Sequence, residues 1–216
     1  MLFRSVLIAG VPEPDVRDPS TRPKLHWALV RGLSRTYWTV VIVGAVLTLA
    51  RFSEAFLVLR AQVNGMPTTF IPLVMVVMSV AYTASAYPAG ALSDRIGRVG
   101  LLAAGLVALI GADLVLAAAD STPVLMAGVI LWGLHMGLSQ GLLAAMVADH
   151  APTERSGTAF GVFNLASGAA LLLASWGAGF LWDTVGPAAI FVTGAAVSAL
   201  ALPLLVPLRA QLSTAP

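Results

Sequence analysis

Cysteine is absent from the 216 residues. This excludes a disulfide framework, a thiol nucleophile and a thiolate metal site, and leaves the redox compartment unreadable. Charge is scarce too: Asp, Glu, Lys and Arg make up 10% of the chain, against about 25% in an ordinary globular protein. The net charge of +2 is too small to suggest nucleic acid as a partner. The phosphate-cradling loop of a directly ATP-driven machine is missing, as is the alternating pattern of about ten residues that marks an outer-membrane barrel strand. What fills the chain instead is apolar: 58% of residues are hydrophobic and the mean hydropathy is +0.90. That is more apolar surface than one compact soluble core hides, so the solvent must be lipid.

The apolar residues gather in six segments, 37–59, 69–88, 99–119, 123–148, 158–182 and 187–208. Each is about 20 to 26 residues long, the length a helix needs to cross a bilayer at 1.5 Å per residue. An all-α bundle of six transmembrane helices is therefore expected. Residues 1–11 are apolar but too short to span; they read as the cytoplasmic end of an earlier helix, and hence as a sign of a truncated chain. Residues 12–36 carry acidic and basic side chains with four prolines and read as a solvated cytoplasmic linker, and 209–216 as a cytoplasmic tail. The basic residues Arg4, Arg17, Arg22, Lys24, Arg31, Arg35, Arg95, Arg98, Arg155 and Arg209 fall on the side of the termini, whereas the opposite loops hold Arg60. The positive-inside rule places both termini in the cytoplasm, with the bundle in an inner or plasma membrane.

Between the second and third segments runs Gly90-Ala91-Leu92-Ser93-Asp94-Arg95-Ile96-Gly97-Arg98-Val99-Gly100. Gly90 and Gly97 suit a sharp turn and a close approach of helix ends. Asp94 can sit against the positive N-terminal end of a helix, and Arg95 and Arg98 supply charge at the membrane surface. The plainer reading is a solvated turn. Gly90, Leu92, Asp94, Arg95, Gly97 and Arg98 in this spacing resemble the signature between the second and third helices of each half of major facilitator superfamily transporters. Asp149 to Gly161 resembles the entry to that family's eleventh helix, and Gly179 to Pro187 the turn between its last two.

The resemblance covers nearly the whole chain and implies the C-terminal six-helix half of a twelve-helix secondary transporter. An N-terminal half is the runner-up: Gln140-Gly141 is present, but Gly137 stands where that half carries Arg, and the fifth segment lacks its proline. Val99 departs from the fullest signature by replacing a second basic residue. By resemblance the function is transport of a small molecule by alternating access, as proton-coupled efflux, with a midplane site between two halves. The partners implied are the lipid bilayer, the missing N-terminal half or else a second copy, a small-molecule substrate and protons. No cofactor and no metal are expected. The signature Asp, here Asp94, is expected to act as a latch against the opposite half.

Ionisable and polar groups inside the spans are the candidates for the pathway. Arg51 and Glu54, at i and i+3, are expected on one helix face within pairing distance, either to bind charge or proton or to neutralise each other. His135 is placed near mid-membrane, as a proton relay or as a neutral ring bonded to a neighbouring helix. Gln140 and Asn164 suit substrate contact or interhelical hydrogen bonding. Asp113 lies on a helix that is peripheral in the family and is assigned to packing. Gly133, Gly137 and Gly141, four apart, line one face on which another helix can approach closely. Asp149, Glu154 and Arg155 are expected to join Asp94 and Arg98 in a cytoplasmic charge cluster.

Two other classes were weighed. Gly137-Leu138-Ser139-Gln140-Gly141 matches the nucleophile-elbow pattern G-x-S-x-G, but that motif needs a strand-to-helix turn. An intramembrane serine protease would further need a His on a later helix, and after Ser139 the chain offers His150 alone, in a loop. A channel subunit or a six-helix scaffold accounts for the spans but not for the signature run.

Overall fold

Ser34 opens the first helix by accepting a hydrogen bond from the Tyr37 amide at 3.1 Å, the usual way to satisfy a free N–H at a helix start. The computed structural model describes residue 30, residues 32–152 and residues 155–213, with side chains at all of these but Asp94 and residues 211–213. The expected stub 1–11, most of the linker 12–36, and Glu154 lie outside the described residues. From Leu33 onward the chain forms one unit. Its helices are α1 (Arg35–Leu49), α2 (Ala55–Val63), α3 (Pro72–Ile96), α4 (Arg98–Ala117), α5 (Thr122–His150), α6 (Ser156–Thr184), α7 (Pro187–Ala201) and α8 (Leu205–Ser213). Short 3-10 turns, Thr68–Phe70 and Leu202–Leu204, precede α3 and α8.

Among the described residues there are no strands, and the architecture is an all-α membrane bundle. Five stretches, Thr68–Ser93, Arg98–Ala117, Thr122–His150, Ser156–Thr184 and Pro187–Ala210, are each long and apolar enough to cross a membrane. α5, with 29 residues, is about 44 Å long and exceeds a hydrocarbon core of roughly 30 Å. It is the central helix, packed along α3 on one side and α4 on the other. α7 covers the far side of α4, and α6 packs on α1 and α7.

The buried side chains form two clusters stacked along the bundle. One holds Phe52, Leu57, Leu109, Leu116, Val129, Trp132, Ile190 and Phe191. The other holds Tyr37, Val40, Leu102, Leu106, Leu142, Met146, Ala159 and Leu208. Tyr37 ties α1 to α6 by donating its hydroxyl to the Ala159 carbonyl at 2.8 Å.

Three expectations need correction. The first segment, 37–59, is not one helix: α1 is a 15-residue apolar helix, residues 50–54 interrupt it, and α2 resumes. Polar side chains compete for backbone partners at the break. Thr48 Oγ1 donates to the Gly44 carbonyl at 2.8 Å, Ser53 Oγ accepts from the Ala55 amide at 3.3 Å, and the Ser53 amide donates to Ser175 Oγ on α6 at 3.1 Å.

Second, the signature run is not a loop from 90 to 98. α3 continues to Ile96, and Gly97 alone separates it from α4 with a φ of 79°, a backbone conformation that favours glycine. Arg95 falls in the last turn of α3, where a cation opposes the helix dipole. Third, Gly90 makes no close approach, since a Cβ there would meet nothing within 4 Å.

Arg60, read from sequence as a loop charge, is buried at the end of α2. Its Nε donates to the Leu116 carbonyl at 3.0 Å, and its Nη2 to those of Ala117 at 3.1 Å and Ala119 at 2.9 Å. Asn64 adds a bond to Ala119 at 3.2 Å. These carbonyls lie at and just beyond the end of α4, where helical partners run out, and a guanidinium fork suits them in both shape and charge.

Candidate functional site

Beside the second apolar cluster, polar side chains from three elements come together. A cavity of about 300 Å³ opens there, lined by Leu47, Thr48 and Arg51 from α1 and the break, His135, Ser139, Gln140, Leu143 and Ala144 from α5, and Phe163, Asn164 and Ser167 from α6. Four of the pathway residues expected from sequence, Arg51, His135, Gln140 and Asn164, thus share one wall. Glu54 does not line it. Its carboxylate stands 3.9 Å from Arg51 Nη1, too far for a tight hydrogen bond, and the two face each other across the interruption and not along a helix face. With its side chain mostly covered and so loosely paired, Arg51 is the cavity's charged group.

His135 is buried, and its Nδ1 lies 2.9 Å from the Gly105 carbonyl on α4. A carbonyl only accepts, so Nδ1 carries the proton and Nε2 is the free acceptor in the neutral ring. Ser139 Oγ donates to the His135 carbonyl at 2.8 Å within α5. No strand-to-helix turn presents this hydroxyl, as a nucleophile elbow would require. Ser167 Oγ is buried without a protein partner and faces the cavity. Thr48, Phe163 and Ser167 escaped the sequence reading, and Ser139 entered it as a serine nucleophile and not as a cavity residue, although Ser139 sits four residues after His135 and Ser167 three after Asn164, spacings that share a helix face.

The glycines divide. A methyl at Gly133 would lie 2.8 Å from Ala81 Cβ and press on the Met78 carbonyl, and one at Gly137 would lie 2.9 Å from both Ser85 Cβ and the Tyr82 carbonyl. α3 and α5 therefore touch along this stripe. Gly141 continues it in sequence but has nothing within 4 Å.

At the far end of α5, Asp149 pairs with Arg98 at the start of α4, both partly exposed. Arg155 occupies the cap position before α6, its amide donating to the Pro152 carbonyl at 2.8 Å. The described residues bring Arg98 and Asp149 of the expected charge cluster into contact.

Comparison with known proteins follows the same lines. The family model described as Major Facilitator Superfamily matches residues 27–216. An uncharacterized MFS-type transporter of Methanocaldococcus jannaschii is 29% identical over 175 residues, covering 78% of this chain and 44% of that protein. The crystal structure of the human organic anion transporter MFSD10 superposes with a TM-score of 0.62 at 20% identity, over 94% of this chain and 45% of that one. The chain thus spans less than half the length of each of these relatives. Signature, bundle and family match agree: the chain belongs to the Major Facilitator Superfamily.

Proposed function

We propose that this chain is the C-terminal six-helix half of a secondary transporter that moves a small organic molecule across an inner or plasma membrane by alternating access. The family is one of transporters rather than enzymes. The observation that carries the reading is the cavity of about 300 Å³ into which Arg51, His135, Gln140 and Asn164 are brought together. A companion N-terminal half closes this cavity from the other side, and rocking of the two halves exposes it to each face in turn. Both termini are cytoplasmic, and proton entry drives efflux.

The substrate class follows from Arg51. A cation held 3.9 Å from its nearest carboxylate has charge to spare for a ligand, while Gln140 and Asn164 offer neutral hydrogen bonds beside it. We therefore assign small organic anions, a class also named for MFSD10.

The test is uptake of a fluorescent carboxylate dye into proteoliposomes holding the full-length protein that contains this chain. Arg51→Ala is expected to reduce uptake at least tenfold, the equivalent of about 1.4 kcal/mol from one lost charged contact. Unchanged uptake in this variant would remove the anion assignment. Asp94→Asn is expected to leave folding intact and slow the flux if the signature residue latches the two halves. An antibody to the tail after Leu208 is expected to detect a native band near twice 22.3 kDa; a transporting band at 22.3 kDa would replace the companion half with a second copy.

A further inference from the structure

Asp113 on α4 is fully buried, with no exposed surface, and none of the described residues hydrogen-bonds either carboxylate oxygen. Its surroundings are apolar and tight. A Cβ at Gly194 on α7 would lie 2.6 Å from Asp113 Oδ2 and 3.2 Å from the Phe52 ring. Phe52 in turn stacks within 5.1 Å of Trp132 and 5.4 Å of Phe191. One turn along α7, Ser198 Oγ is also buried and unpartnered.

The ionisable groups on the elements packed against α4 do not compensate a charge here. α7 carries none. On α5, His135 is committed to the Gly105 carbonyl two turns away along α4, and Asp149 and His150 lie at the helix end beside Arg98. α3 carries Tyr82, Tyr87, Asp94 and Arg95, and α8 carries Arg209. Arg60 from α2 spends its fork on three carbonyls at the end of α4, and in the break Arg51 turns to the cavity, with Glu54 as its one ion-pair partner among the described residues.

A buried carboxylate without a partner is among the costliest arrangements a fold can hold, and the neutral acid is the way out of it. From this geometry we infer that Asp113 is a proton-binding site, linked to the cavity by way of Phe52 and Arg51 in the helix break. On binding, an O–H bond forms on one carboxylate oxygen with a proton delivered by water, and the side chain goes from one negative charge to none. On release the proton returns to water and the charge reappears against Gly194 and Phe52. Phe52 immediately follows Arg51, so a charge change that displaces the Phe52 ring also moves the cavity's guanidinium. This inference deepens the proton-coupled reading above: it names the group that holds the proton.

The experiment needs no substrate, so its outcome is separable from that of the dye assay. Infrared difference spectra of the full-length protein in lipid, stepped from acid to alkaline pH in light and heavy water, resolve protonated carboxyl groups by their C=O stretch. A deuterium-sensitive carboxyl band that gives way to carboxylate as pH rises is expected in the parent. It should be missing in Asp113→Asn, and should change frequency in Asp113→Glu, which keeps the acid should the amide variant fold poorly. A parent spectrum without such a band, or one retained unchanged in either variant, would overturn the assignment.

Discussion

Arg60 shows how far one side chain can differ from its reading in sequence. Next to a turn it looked like a stray surface charge; in the fold it closes the end of a neighbouring helix by donating to three carbonyls. Losing it removes three charge-assisted bonds at once, although Asn64 still reaches the Ala119 carbonyl and the Ala119 amide that of Leu116, so Arg60→Ala is expected to cost about 2 to 3 kcal/mol, read as a thermal midpoint several degrees lower in detergent. Arg60→Lys should recover little of this, because one ammonium cannot reach three separated carbonyls as a fork does. A lysine variant as stable as the parent would mean that charge alone matters. Arg51 is the contrasting case. Its presence in the cavity wall was legible because an ionised group inside an apolar run is rare, but its setting in a helix break was not, because i and i+3 spacing describes a continuous helix. For Asp113 the sequence suggested packing on a peripheral helix, and only burial without a partner distinguishes it from an ordinary interfacial carboxylate.

Helix identity was largely written in the apolar runs, since any segment in lipid must satisfy its own backbone. Helix ends were not. α3 runs on through Ser93, Asp94 and Arg95 because a helix emerging into water loses nothing by continuing until glycine turns it, so composition misplaces the boundary while Gly97 fixes it. The same limit applies to the glycine stripe on α5. Four-residue spacing shows which face is small but not where along that face the partner ends. Gly133→Ala and Gly137→Ala press a methyl on the backbone or Cβ atoms of α3 and are each expected to cost roughly 1 to 3 kcal/mol. Gly141→Ala meets open space within this chain and is expected to be neutral or to gain up to about 1 kcal/mol from helix propensity. Unfolding midpoints of the three variants give the comparison, and equal losses at all three would mean that close packing extends beyond the contact seen here. The Arg98–Asp149 pair, part-exposed at the bundle edge, should matter less to stability than either tight glycine: Asp149→Asn is expected to cost under about 1 kcal/mol.

Taken as one body, the bundle has a polar cavity on α1, α5 and α6 and long exposed apolar stretches, with Leu172 at 71%, Trp176 at 74% and Phe180 at 62% exposure on α6. Lipid stabilises such surface, and under the alternating access proposed above the cavity side faces a companion half. The absence of cysteine makes this directly testable, because a thiol introduced into this chain is its only one. Asn164→Cys, in a full-length background otherwise free of cysteine, reports from the cavity wall, and Trp176→Cys from the apolar surface. A membrane-impermeant maleimide is expected to reach position 164 from either side of the membrane, and more slowly when the transported dye is present. Position 176 should stay unlabelled from both sides. A channel predicts a different pattern, with fast labelling at 164 that the dye does not slow, because an open pore has no occluded state to populate. A scaffold predicts access from one side only, again without protection. Slowing by the dye is therefore the decisive reading, because it requires that the ligand and the label compete for one cavity that opens in turn to each side.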